Sequence, residues 1–456
     1  MTAVDAVGVP AGGPLGAPRR PRSDGTLGDG LAMSLAAGGA ALVGMLGWIV
    51  AARVLTPDEL GSATAFVSAF LLVAGVTELN LGVGLLRWLP RAGSAARRLL
   101  VVGLLAISGF AATVAVLYLL LPGSSVIVDA VTGGPGGDRF RGAAVFVLAA
   151  VCYALFQQQD FVLVGLRRRW WAPARTVVFA VGRLGMLFAV GASLTTGVVV
   201  ASWVVPTAAC VLLVSAQAAW LTRRRDGTRG TGVLPSRREA LGFLGPTYLG
   251  QVATSVLLNQ VPLLVVFRFG TADGAAFFLL WQAVTVVDVV ATYFATSLAA
   301  GVAREPHRAA ELSRATLVRL LVIVVPLLGV GALVAAPVLS LFGPVYAAQA
   351  PVLRILLGGL ALRMLVVHRL GEHQAFGRGV RFARLALTAT ALVVAVVAFV
   401  PADAPDPLRV IAYGVVAVQG LVAAAVTFRR LRERTPVVPT GPTGPTGPTT
   451  VDAGAA

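Results

Sequence analysis

The chain of 456 residues contains no lysine; all 37 of its basic side chains are arginine. A nucleotide-binding loop of the G-x-x-x-x-G-K-S/T type needs its lysine to reach the phosphates, so ATP hydrolysis by that route is excluded. Histidine is scarce too. His307, His368 and His373 fall near the arginine-rich ends of apolar stretches, where interfacial or loop positions are expected, and His368, Glu372 and His373 do not have H-E-x-x-H spacing. No metal site and no cofactor is expected. The two cysteines, Cys152 and Cys210, lie inside apolar stretches, where a thiol packs as a small hydrophobe, so no disulfide framework is implied.

What the chain has in abundance is apolar length. Hydrophobic residues form 57% of it and gather into about twelve stretches. A run of about 20 apolar residues at helical rise matches the hydrocarbon thickness of a bilayer. Lipid offers backbone groups no partner outside the segment, so each stretch reads as a spanning helix. The spans fall at Gly30–Ala52, Leu60–Leu86, Leu99–Leu121, Gly142–Leu166, Thr176–Leu194, Val198–Leu221, Leu241–Phe267, Gly274–Ala300, Leu317–Phe342, Ala347–Val367, Phe382–Val400 and Val410–Phe428. The expected fold is all-α, a polytopic membrane protein of about twelve transmembrane helices.

Arginines crowd every second connection. They precede the first span (Arg19, Arg20, Arg22) and follow the second (Arg87, Arg91, Arg97, Arg98), the fourth (Arg167, Arg168, Arg169, Arg175) and the sixth (Arg223, Arg224, Arg225, Arg229, Arg237, Arg238). The same side receives Arg304, Arg308, Arg314 and Arg319, then Arg369, Arg378, Arg381 and Arg384, and finally Arg429, Arg430, Arg432 and Arg434. The opposite connections hold only Arg53, Arg139, Arg141, Arg268 and Arg409. The positive-inside rule then puts both termini in the cytoplasm, in a multi-pass protein of the cytoplasmic membrane. The net charge of +17 is accounted for as topology, and no nucleic-acid partner is expected. The N-terminal segment lacks a short apolar core with a cleavage site, so the first span reads as an anchor. Residues 1–29 and the tail at 431–456 are expected to be disordered; the Gly-Pro-Thr triplets from Gly441 have the period of collagen but are too few for a triple helix.

Two short segments match. Arg53-Val54-Leu55-Thr56-Pro57-Asp58 follows the first span and Arg268-Phe269-Gly270-Thr271-Ala272-Asp273 follows the seventh, with Arg, Thr and Asp at equal offsets. Locally, Thr-Pro-Asp and Thr-Ala-Asp are good helix N-cap turns whatever the protein does. Their repetition in register divides the chain into a six-helix lobe at 30–222, a basic linker at 223–240 and a second lobe at 241–430. An even number of spans separates the copies, so the halves run parallel about an axis along the membrane normal, with a central cavity expected between them.

Polar residues inside the spans lie in stripes. Thr247, Gln251, Ser255 and Asn259 recur every four residues in span seven, and Gln282, Thr285, Asp288, Thr292 and Thr296 every three or four in span eight. They face either a wet interior or other helices, where each contact is worth roughly 0.6 kcal/mol. Asp288, near mid-span, is a coupling or gating candidate, because ionisable groups at depth are expensive. Glu78 and Asp160 join it; Glu78 is expected at the cytoplasmic mouth. Arg183, central in span five, and Arg354 are candidates for an anionic cargo, since a guanidinium forks onto phosphate. A structural ion pair of Arg183 with Asp160 or Asp288 is the alternative. Arg363, closer to a span end, is expected to snorkel.

With these segments in hand, the chain resembles the polysaccharide-exporter branch of the multidrug/oligosaccharidyl-lipid/polysaccharide flippase superfamily. The residues that carry the resemblance are Ala52 to Gly61, Asn80-Leu81-Gly82, Leu86-Arg87-Trp88-Leu89-Pro90, and the run from Leu341-Phe342-Gly343-Pro344 to Leu353-Arg354. The resemblance implies alternating-access translocation of a lipid-linked saccharide, with cationic cavity residues receiving a pyrophosphate. It also implies membrane lipids and a glycan polymerase or glycosyltransferases as partners. The chain departs from the lipid II flippase subgroup in having about twelve spans where that subgroup has fourteen.

Two other readings compete. A cation-coupled drug exporter of the same superfamily would use Asp288 or Glu78, although interior arginines would repel a cationic cargo. A polytopic lipid-sugar glycosyltransferase would use Asp58 and Glu59. The first outer loop, about seven residues at roughly 3.5 Å each, is too short to fold over a donor sugar. No enzymatic activity is expected.

Overall fold

The computed structural model describes residues 44–78, 81–89, 92–134, 137–166, 168, 170–226, 245 and 248–432, and its regular elements are helices. The principal ones are α1 (Gly44–Val54), α2 (Pro57–Thr77), α3 (Ala96–Leu119), α4 (Arg139–Gly165), α5 (Trp171–Val190) and α6 (Thr196–Asp226). They continue with α7 (Tyr248–Phe269), α8 (Thr271–Arg304), α9 (Ala309–Leu333), α10 (Ala350–Ala375), α11 (Gly379–Phe399) and α12 (Pro407–Arg432). Eleven of these, α2 to α12, are long and apolar enough to cross a membrane, and the described part of α1 is an apolar helix as well. Each falls on one of the stretches read from the sequence, and the protein is a multi-pass membrane protein.

The differences lie at the ends. The second stretch breaks after Thr77 and resumes as a short helix, Leu81–Trp88, and the ninth gives way after Leu333 to a short helix, Ala335–Ser340. Helix α6 runs on to Asp226, into the expected linker, and α12 to Arg432, into the expected tail. Arginine is a good helix former, so a basic run does not by itself end a helix. The rest of the linker, the tail beyond 432, residues 1–43, and Asn80 and Thr247 lie outside the described residues.

The two matched turns are built differently. Thr56 caps α2 in a capping box: its Oγ1 accepts from the Glu59 amide, Glu59 Oε2 accepts from the Thr56 amide, and Pro57 follows. At α8 the N-cap is Gly270, whose φ of +94° strains any side chain, and Thr271 does not cap the helix. Its hydroxyl donates instead to Asp58 Oδ1 in the other half. The paired arginines share a role. Arg53 donates from Nε and Nη2 to the Leu341 and Ser340 carbonyls, both at 2.6 Å, and Arg268 Nη2 donates to the Val400 carbonyl at 2.8 Å. Each places a cation at the carbonyl end of a helix, where unpaired acceptors and the dipole favour it. Asp273 makes no hydrogen bond or ion pair to a described residue.

The helices that follow these turns, α2 and α8, pack directly on each other. Gly61 permits the approach, since a Cβ there would lie 2.0 Å from the Thr271 carbonyl oxygen. Trp48 of α1 meets Phe278 of α8 edge-on at 4.9 Å between ring centroids, and Tyr118 of α3 donates to Gln260 Oε1 at 2.7 Å. Residues 274–281 are consequently all buried. Beyond them Gln282, Thr285, Val286 and Thr292 regain exposure at helical spacing. The halves are thus sealed where the matched turns lie, and α8 presents an open face toward the arginine-rich end.

Candidate functional site

Among the described residues, the charges at depth include two neutralised pairs, an unpaired guanidinium and an unpaired carboxylate. Asp288 of α8 accepts a two-pronged contact from Arg363 of α10, Nε to Oδ1 at 2.7 Å and Nη2 to Oδ2 at 2.9 Å. The two side chains are 9% and 11% exposed. Arg363 therefore does not snorkel: α10 runs on to Ala375, which places residue 363 at mid-helix. Thr285, Trp281 and Gln419 line a small space beside the pair, with room for about one water.

A second pair sits in the first half. Arg175 Nη2 donates to Asp160 Oδ1 at 2.6 Å, its Nη1 donates to the Phe156 carbonyl, and its guanidinium lies 3.6 Å over the Phe156 ring. The sequence assigns Arg175 to a cytoplasmic connection, but α5 begins at Trp171 and turns this residue inward against α4.

Arg183 is the unpaired guanidinium. It pairs with neither Asp160 nor Asp288, whose carboxylates are engaged by the other arginines. Only 3% exposed, it stacks over Trp203 at 4.2 Å and Trp48 at 5.0 Å, within an aromatic cluster that includes Phe70, Tyr153 and Phe179. Its Nη1 reaches the Gly44 carbonyl at a long 3.4 Å, and Nε and Nη2 have no hydrogen-bond partner among the described residues. Gly47 leaves room for it: a Cβ there would lie 3.3 Å from Nη2. Cation–π attraction in a desolvated site, about 2 kcal/mol, offsets only part of the desolvation of a charge. The site therefore holds a buried guanidinium with two unfilled donors.

The remaining candidates scatter. Arg354 is exposed on the second turn of α10 and donates to the Ala332 carbonyl at 3.0 Å. Glu78, half-buried at the end of α2, has its backbone carbonyl held by Gln158 at 3.1 Å, and its carboxylate makes no ion pair with a described residue. Ser255 packs against Gly75 of α2, and Asn259 Nδ2 donates to the Ser255 carbonyl at 3.1 Å. A π-turn at Val256–Gln260 adds a residue there and breaks the four-residue stripe on which Gln251, Ser255 and Asn259 were aligned. Gln251, Gln282 and Thr285 are half-buried, and the Thr285 hydroxyl donates to its own helix at Trp281.

Sequence reasoning missed one cluster. Ser313 of α9 donates to Glu372 Oε1 and lies 3.2 Å from His368 Nε2, while Arg369 donates to Glu372 Oε2 at 2.8 Å. His368 and His373 are buried at 3% and 6% exposure, not interfacial, because both fall on the inward face of α10. The i, i+4 spacing of His368 and Glu372 was the available signal; Ser313, on another helix, gave none.

Solved structures of membrane transporters share the fold of these helices. An inward-facing multidrug resistance MATE family transporter of the MOP superfamily matches with a TM-score of 0.65 at 17% identity, covering 86% of this chain and 94% of that one. An outward-facing structure of a transporter so described matches at 0.61 and 18% identity, covering 89% and 95%. The lipid II flippase MurJ in an inward closed conformation matches at 0.63 and 10% identity, covering 88% and 87%. No protein-family model and no curated protein sequence matches the chain.

Proposed function

We propose that this protein is a flippase of the cytoplasmic membrane, translocating a lipid-linked oligosaccharide or polysaccharide precursor by alternating access for cell-surface glycan biosynthesis. The observation that carries the reading is the charge balance of the spans. Asp288 and Asp160 are cancelled by Arg363 and Arg175, while among the described residues Arg183 has no carboxylate partner and no acceptor for Nε and Nη2. A buried guanidinium without a carboxylate beside it suits a phosphate or pyrophosphate linkage, which supplies paired acceptors. The sealed turn end and the open face of α8 support entry from the arginine-rich side, the cytoplasmic side under the positive-inside rule. The donor is then the membrane lipid carrying the glycan, and glycosyltransferases or a polymerase are the partners on either side of the step.

The test is translocation of a fluorescent polyprenyl-pyrophosphate saccharide in proteoliposomes. Arg183→Gln is expected to cut the rate at least tenfold with insertion unchanged, and Arg183→Lys to retain part of it. Unchanged translocation in Arg183→Gln would remove the residue from the cargo path. A second reading, a cation-coupled multidrug exporter, is favoured by the carboxylate of Glu78, which stands without an ion-pair partner among the described residues. Under that reading proteoliposomes extrude a cationic dye against a proton or sodium gradient, Glu78→Gln stops it, and the saccharide does not move.

A further inference from the structure

Away from the lobe junction, a groove of about 510 Å³ opens between α11 and α12 over the arginine-rich part of α10. Its lining changes character with depth. At one end stand Arg384 of α11 and Arg429 of α12, both exposed and without a hydrogen bond or ion pair to any described residue. Arg369, deeper in the same wall, is committed to Glu372 at 2.8 Å. Below the arginines the walls are apolar except for Thr388, with Leu385 and Leu392 on α11 facing Leu421 and Val426 on α12. These positions recur at helical spacing on two antiparallel helices, so the arginines come level at one membrane boundary and the leucines run away from it. From Arg384 to Leu392 is roughly 12 Å at helical rise, close to the depth of one acyl leaflet in a bilayer core of about 30 Å.

We infer that this groove is a binding site for an acidic phospholipid, the phosphate held between Arg384 and Arg429 and an acyl chain laid along Leu385, Leu392 and Leu421. Both requirements come from the same surface. Two cations free of protein partners call for an anion, and an apolar trough of leaflet depth directly below them calls for a tail on that anion. A soluble phosphate satisfies only the first, and a zwitterionic lipid only the second. The site lies outside the proposed cargo path, and its test does not depend on transport.

The full chain in neutral detergent is titrated with phosphatidylglycerol, with phosphatidylcholine and glycerol 3-phosphate as controls, following the melting midpoint and the lipid retained in native mass spectrometry. Phosphatidylglycerol is expected to raise the midpoint saturably and to be retained; neither control is. At about a factor of five to six per arginine, Arg384→Gln with Arg429→Gln weakens the apparent affinity about 30-fold. Arg97→Gln with Arg98→Gln, two exposed arginines elsewhere at the same end, leaves it unchanged. Ala425→Trp fills the trough with every charge in place and is expected to abolish retention, which keeps the inference testable should the arginine variant fold poorly. Equal shifts with phosphatidylcholine or glycerol 3-phosphate, full binding in the groove variants, or equal loss in the Arg97/Arg98 variant would each overturn the site.

Discussion

Cutting the Asp288–Arg363 pair should cost far more than cutting an ordinary polar contact between membrane helices. The guanidinium meets both carboxylate oxygens, at 2.7 and 2.9 Å, and the two side chains are 9–11% exposed, so removing either partner strands a charge out of water. Breaking a buried pair in this way costs about 3–5 kcal/mol. Asp288→Ala and Arg363→Ala should each lower the melting midpoint by roughly 6–10 °C, taking about 2 °C per kcal/mol for a chain of this size. The double variant should fall much less than the sum, with a coupling of about 2 kcal/mol or more. Neutral interhelical hydrogen bonds average about 0.6 kcal/mol, so the cycle separates a true ion pair from incidental polar contact. Replacing both residues with apolar ones of similar volume, Asp288→Leu with Arg363→Met, should be neutral or stabilising. The assay is thermal unfolding of the detergent-solubilised wild type and four variants. Additivity of the alanine variants to within about 0.5 kcal/mol would refute the pairing.

Arg354→Gln, by contrast, should change stability by no more than about 0.5 kcal/mol and leave saccharide translocation intact, since the side chain is exposed and bonded to one carbonyl; a transport defect would return it to the interior. Gly61→Val forces a Cβ into a space 2.0 Å from the Thr271 carbonyl oxygen, and cysteines at positions 58 and 271 should cross-link several-fold less efficiently in that background. Undiminished cross-linking would mean that the close approach does not hold the halves together. Cysteine labelling between Gly133 and Gly137 should succeed from outside the cell, and labelling between Asp226 and Pro235 only from inside. The reverse result would invert the orientation drawn from the arginines.

Most of the helix order was legible because two quantities dominate it: apolar length per span and arginine density per connection. Neither says which way a side chain points around its helix axis. Arg363 and Arg175 were read as boundary residues by counting along the chain, yet each faces a carboxylate on a neighbouring helix. The tenth stretch begins as a long helix at Ala350, and residues 351, 354 and 358 share an exposed face that counting along the chain does not reveal. The π-turn in α7 was invisible for a related reason. Periodicity assumes 3.6 residues per turn, and one added residue rotates everything beyond it. The matched letters of the outer turns do not reveal that their threonines differ in role, Thr56 capping its helix and Thr271 bonding to Asp58.

The arginines that cover Asp288 and Asp160 also make the polarity of this protein's core a matter of single codons. Losing Arg363 alone would uncover Asp288, and losing Arg175 would free Asp160, whose side chain is already 42% exposed. Either change would take a neutral pair to a single uncovered carboxylate without moving a helix. A lineage carrying this scaffold therefore lies one replacement away from an interior that attracts cations, and ligand preference can drift across that boundary while the architecture stays constant.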